Sequence, residues 1–189
     1  DKSKSISQLF STLSSIMQPN NPSSEHLASA LKAVNFAQYQ AYSKRFLEQV
    51  TLDVLIHGNW LIEHAHSIVE NVKLTFNTKY SDKHKVQCPV IDTSNKKTLL
   101  YPITIPDHDH ATVIYNPFPT RDKKLVALSM VTSHLLSPLF FQEMRTEKQY
   151  GYLVGVGYVP INRYPGIAFY IQSPHTDAIT LTHAIDGFI

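Results

Sequence analysis

Phe140-Phe141-Gln142-Glu143-Met144-Arg145-Thr146-Glu147-Lys148-Gln149-Tyr150-Gly151-Tyr152-Leu153-Val154 runs a charged helix end straight into a glycine-rich strand. Along that strand, alternation puts Tyr152, Val154, Val156 and Tyr158 on one face and Leu153, Gly155, Gly157 and Val159 on the other. Glycines two apart on one face leave bare backbone that a second chain can approach closely. After the turn-rich Ile161-Asn162-Arg163-Tyr164-Pro165 a second strand follows, Gly166 to Ser173, and then a helix from Thr176 to Ile189. That helix ends on Gly187-Phe188-Ile189 with no cap or polar tail, the reading expected of a piece of a longer chain.

Upstream of the helix–strand junction the pattern predicts strands at Thr98 to Ile105 and Ala111 to Tyr115, a Pro117-Phe118-Pro119 turn, and a helix from about Asp122. Leu125, Leu128, Val131 and Leu135 are expected to face the core of that helix, Pro138 to break it, and Leu139 to Lys148 to resume it. Strands adjacent in sequence, with helices in separate runs, indicate an α+β fold with a mostly antiparallel sheet and helices packed on one face.

The first part of the chain is mainly helical by the same reasoning. Ile6, Leu9, Phe10, Leu13, Ile16 and Met17 form a helical stripe that stops at Pro19-Asn20-Asn21-Pro22. Ser23 or Ser24 caps a second helix, and Asn35 with Gln38 forms a capping box for a third, with Phe36, Tyr39, Phe46 and Val50 inward. The alternating Thr51-Leu52-Asp53-Val54-Leu55-Ile56-His57 reads as a strand. Gly58-Asn59 then turns into a helix striped by Leu61, Ala65, Ile68, Val69, Val72 and Phe76. Residues 77 to 98 are polar, lysine-rich and interrupted by Pro89, as a linker would be.

Composition narrows the function classes. The chain has 189 residues, 43% hydrophobic and 17% charged, so it can build a core and is not a disordered segment. A net charge of +2 from scattered basic residues gives no electrostatic footprint for nucleic acid. No uninterrupted apolar run approaches the roughly 18 residues of a bilayer span, so no membrane partner is expected. A single cysteine, Cys88, excludes an internal disulfide, and beside Pro89 it has no basic partner to activate it.

Ten histidines raise the question of zinc. His64 and His66, two apart on a helix, point to different sides. His108 and His110 would share a face if extended, with Asp107 and Asp109 nearby, but no third ligand has a recognisable spacing, and a solvent-facing loop is the simpler reading. The helical signatures His-Glu-x-x-His and His-x-x-Glu-His are both missing from the sequence, as are a Gly-x-Ser-x-Gly elbow and a phosphate-binding Gly-Lys-Ser/Thr loop. No metal site is therefore assigned to this chain.

Pro138-Leu139-Phe140-Phe141, Arg145-Thr146-Glu147-Lys148-Gln149-Tyr150-Gly151-Tyr152 and the later Phe169-Tyr170-Ile171-Gln172-Ser173 resemble the carboxy-terminal half of the insulinase/pitrilysin family of zinc metallopeptidases. That pattern is Phe-x-x-Leu-Arg-Thr-x-x-Gln-Leu-Gly-Tyr with an Ile-Gln-Ser strand behind it. Met144 and Tyr150 replace the usual leucines, both apolar exchanges. Leu55-Ile56-His57-Gly58-Asn59 and the helix after it are also similar to the end of the family's third domain.

The resemblance implies two partial α+β units: residues 1–78 as the later part of a third domain, 79–98 as linker, and 99–189 as the first part of a fourth. It implies a zinc endopeptidase parent whose metal is bound outside this chain, so that the fragment alone holds no zinc and cleaves nothing. The implied partners are peptide substrates and the amino-terminal half of the same polypeptide, in an enclosed chamber. By position in the motif, Tyr152 stabilises the transition state and Arg145 positions substrate, while Gln149, Gly155 and Gly157 are expected to bind it. A donor facing the developing oxyanion can be worth about 3 kcal/mol, and arginine offers carbonyls a planar fork of donors. Bacterial relatives of the family are often periplasmic. A non-catalytic homologue that binds peptides or serves structurally stays open beside the enzyme. The two divide on whether the upstream polypeptide carries His-x-x-Glu-His.

Overall fold

A computed structural model of the chain describes residues 5–48, 50, 52–76, 88–94, 98–104 and 108–189. Its elements are α1 (Ser5–Met17), α2 (Ser24–Ala33), α3 (Phe36–Glu48), α4 (Ile62–Phe76), β1 (His110–Pro117), α5 (Lys123–Phe141), a π-helical segment (Gln142–Glu147), β2 (Leu153–Tyr158), β3 (Gly166–Ser173) and α6 (Ala178–Phe188). The strands form one three-stranded sheet in the order β1-β3-β2, antiparallel throughout. β3 is central and lies where the sequence predicts it, from Gly166 to Ser173.

Two compact units make up the chain, residues 1–24 with 88–189, and residues 25–87. In the first, α5 and α6 pack on one face of the sheet and α1 on the other. The core lies under α5 and α6: Phe140, Met144, Val156, Ile167, Phe169, Ile171, Leu181 and Ile185. Phe140 meets Phe169 and Phe188 edge-on, with ring centroids 5.5 and 5.0 Å apart. On the other face Phe10 of α1 meets Tyr170 edge-on at 5.6 Å, consistent with the stripe read for the first helix. Asp122 caps α5 by accepting from the amides of Lys124 and Leu125, and Asp177 caps α6 from those of Ile179 and Thr180.

Two expectations for α5 are corrected. The sheet-facing row is Ser129, Ser133, Leu136 and Phe140, whereas Leu128, Val131 and Leu135 are 59%, 56% and 62% exposed. The helix is apolar on nearly all sides, so periodicity alone could not choose the row. The buried serines settle their hydroxyls within the helix, on the carbonyls of Leu125 and Met130. Pro138 also lies inside α5 and does not break it. An interior proline costs a helix about 3 kcal/mol, and the full burial of Phe140 and Met144 beyond it offsets that cost. Residues 123–147 are long and apolar enough by length and composition to cross a bilayer, yet here they pack on β2.

The second unit is helical. Asn35 and Gln38 exchange the two bonds of a capping box, each 2.9 Å, at the start of α3. Phe36, Tyr39 and Phe46, expected inward, are exposed instead. Residues 52–57 and 98–104, read as strands, belong to no ladder among the described residues. Alternation shows that a segment could pair, but a strand exists only where a partner supplies hydrogen bonds. Thr51, Ile105, residues 77–87 and residues 95–97, and with them most of the predicted linker, fall outside the described residues. The described remainder, 88–94, belongs to the first unit, where the Ile91 amide donates to Met17 O at 2.9 Å.

Candidate functional site

The site grows from the junction quoted at the outset. After α5 the backbone widens into the π-helical segment, a local distortion often found at functional positions. The Lys148 amide reaches back to Glu143 O at 2.9 Å, a spacing of five residues. Arg145 sits within this segment and donates from Nη1 to Gly151 O at 2.8 Å. One guanidinium nitrogen thereby clamps the backbone immediately before Tyr152. Lys148 pairs with Glu143, whose carboxylate pushes the exposed Lys148 ammonium up from its usual value.

Gln149 turns the chain with φ of 53°, in the left-handed region that a non-glycine residue occupies only at some cost. Gly151 then presses against β3. A Cβ there would lie 2.3 Å from Gln172 O, so this position accepts only glycine without moving the strand. The close approach brings the Tyr152 amide to Gln172 O at 3.1 Å.

Tyr152 stands one residue before the β2 ladder begins and leaves the alternation expected of it. Val154 and Val156 face the core, but the Tyr152 hydroxyl lies with Gln172, whose side chain points to the α1 side of the sheet. The phenol donates to Asp109 Oδ2 at 2.5 Å and accepts from Gln172 Nε2 at 2.7 Å. Gln172 Nε2 donates also to Asp109 Oδ2 at 2.7 Å, which closes a triangle. Gln172 is buried to 1% exposure, and its Oε1 accepts the Ile6 amide of α1 at 3.2 Å. Tyr152 itself remains 44% exposed. The arrangement is a half-exposed phenol on a rigid amide seat, next to the glycine whose carbonyl holds Arg145.

The other residues expected at the site divide. Arg145 and Gln149 line an open depression together with Phe141, Thr146 and His175. Gly155 is buried, and a Cβ there would lie 2.4 Å from Tyr170 Oη, so its bare backbone is occupied by this chain's own tyrosine. Gly157 has no atom within 4 Å of a built Cβ and is open. Both lie on β2, which is an edge of the three-stranded sheet.

Asp109 and Gln172 are the residues that sequence reasoning passed over as site members. Asp109 was visible only as the middle of His108-Asp109-His110, and Gln172 only as part of a strand motif. The cross-strand register that puts Gln172 opposite both Ala111 and Leu153 is what brings them to Tyr152. Among the described residues no three His, Cys, Asp or Glu side chains group closely enough to hold a metal ion. The chemistry that Tyr152, Gln172 and Arg145 offer is hydrogen-bond donation to a polar ligand.

Comparison with known proteins bears on the chain's sequence and fold. The family described as PQQ synthase PqqF-like, C-terminal lobe domain 4, matches residues 131–189. Coenzyme PQQ synthesis protein F of Pseudomonas syringae pv. tomato is 35% identical over 81 residues, 43% of this chain and 10% of that protein. A Schizosaccharomyces pombe protein, mug138, whose name carries a provisional zinc-protease designation, is 22% identical over 168 residues, 84% of this chain and 17% of that protein. The crystal structure of pitrilysin superposes with a TM-score of 0.83 at 19% identity, over 99% of this chain and 20% of pitrilysin. The chain thus spans between a tenth and a fifth of these relatives. The Arg145-to-Tyr152 motif, the matched carboxy-terminal lobe model and the zinc-protease relative all make the chain similar to the carboxy-terminal part of the insulinase/pitrilysin family, and it shares the α+β fold of pitrilysin.

Proposed function

We propose that this chain is the substrate-contacting, chamber-lining carboxy-terminal portion of a zinc metalloendopeptidase, spanning parts of its third and fourth domains. Its partners are peptide substrates and the amino-terminal half of the same polypeptide. Zinc, bound outside this chain, supplies the Lewis acid of peptide hydrolysis. This chain supplies donors: Tyr152 to the oxygen on which negative charge develops, Arg145 to substrate carbonyls, and Gln149 and the open edge of β2 at Gly157 to an extended peptide.

The single observation behind this reading is the meeting of Arg145 and Tyr152 at Gly151, where the guanidinium clamps the backbone that carries the phenol. A hydroxyl held on Gln172 loses little orientational freedom when it engages substrate, and preorganised donors of this kind are worth roughly 3 kcal/mol.

The test uses the full-length parent protein on short peptides, with and without a chelator. Tyr152→Phe is expected to lower kcat about a hundredfold with little change in KM, as follows from losing a donor used in the transition state. An unchanged kcat refutes the role, and a parent with no chelator-sensitive peptidase activity refutes the function.

A further inference from the structure

We propose that Asp109 is a latch on Tyr152: its carboxylate takes the phenol proton in the resting state, and a peptide carbonyl receives that proton only by displacing it. The proposal rests on the reading of Tyr152 as a donor to substrate. It adds a residue on a different strand and a specific way in which it acts.

A phenol carries one proton, and in this structure it goes to Asp109 Oδ2 at 2.5 Å. Gln172 holds the oxygen of the same phenol at 2.7 Å and the same carboxylate oxygen at 2.7 Å. Gln172 cannot swing away, because it is buried and its Oε1 is tied to the Ile6 amide. Asp109 is the member that the sheet ladder does not hold. It lies just outside the β1 ladder, held through its backbone carbonyl by Ser5 Oγ at 3.3 Å. Displacing the carboxylate leaves the phenol seated on Gln172 and turns its proton from Asp109 to the incoming acceptor.

A hydrogen bond to a carboxylate is roughly twice as strong as one to a neutral carbonyl. A ground-state peptide carbonyl therefore competes poorly with Asp109, while an oxygen gathering negative charge competes well. The latch withholds the donor from bound substrate and yields it only as the transition state forms, at the cost of its own bond to the phenol, so it restrains the resting enzyme.

The experiment compares Asp109→Asn and Asp109→Ser in the full-length parent, each with Tyr152 intact and with Tyr152→Phe, using short peptides and steady-state kinetics. Weakening the acceptor is expected to raise kcat/KM about fivefold, the difference between a charged and a neutral hydrogen bond. The rise is shared between a lower KM, since the ground-state carbonyl now reaches the phenol, and a higher kcat, since the transition state no longer has to break the stronger bond. It disappears in the Tyr152→Phe background, which a merely structural effect of Asp109 would not do. Asp109→Ser covers the case in which the asparagine amide rebuilds the contact, and thermal midpoints identify any variant that fails to fold. The latch is overturned if neither folded variant raises kcat/KM, or if the change persists without the Tyr152 hydroxyl. If Tyr152→Phe alone leaves kcat/KM unchanged, the functional reading of Tyr152 fails and the latch with it. If Tyr152→Phe is impaired and the Asp109 variants show no gain, the latch alone fails.

Discussion

Phe140→Ala tests the packing that holds the site. Phe140 is fully buried, and its ring meets Phe169 at 5.5 Å and Phe188 at 5.0 Å, both near-perpendicular. It lies at the α5 end from which the π-helical segment and Arg145 depart. Removing the ring forfeits about 2–3 kcal/mol of transfer energy. The cavity left between α5, β3 and α6 adds to this, for a total of about 4 kcal/mol. With an m-value of about 2 kcal/mol per molar urea, the midpoint should fall by about 2 M. The assay is urea unfolding of this chain followed by far-UV circular dichroism, with Phe141→Ala as control. Phe141 is the next residue and is 46% exposed, so its loss should cost less than about 1 kcal/mol. Comparable losses at the two positions would show that Phe140 does not anchor α5 to the sheet, and the account of how Arg145 is positioned would fall with it.

Gly155→Ala should destabilise by about 1–3 kcal/mol, because the new methyl meets the Tyr170 ring, itself packed against Phe10, while Gly157→Ala should be neutral or better. Equal urea midpoints for the two variants would contradict the packing described. Burial, helped by Tyr158, pushes the Tyr115 phenol up to about 12, and its hydroxyl donates to Val159 O at 3.0 Å. A folded-state value above the unfolded value of about 10 means stability is intact below pH 10 and is lost as pH rises from 10 through 12. Tyr115→Phe should flatten that loss in unfolding curves collected across the interval, and an unchanged slope would refute it. Asp122→Ala removes the side-chain cap of α5 and should cost about 1 kcal/mol by the same denaturation assay.

Local chemistry made much of this molecule readable in one dimension. The Asn35–Gln38 capping box, the Asp122 start of α5, the whole of β3 and the helix-to-strand junction all follow from short-range patterns, and the structure contains each of them. The motif also singled out Arg145 and Tyr152, because their spacing is itself a sequence feature. Which face of α5 is buried was not readable, since a helix apolar on two sides has no period that prefers one. Pro138 was misjudged because its local penalty was visible and the compensating burial of Phe140 and Met144 was not.

What the sequence determined by itself is the set of elements and the family motif, since both depend on residues close together along the chain. Only the tertiary structure decided the environment of Tyr152. Its partners stand 43 and 20 residues away in the chain, and antiparallel pairing of β3 with both neighbours carries Gln172 to the phenol and Asp109 to Gln172. Strand register is a long-range choice governed by which face is buried, and no local spacing encodes it.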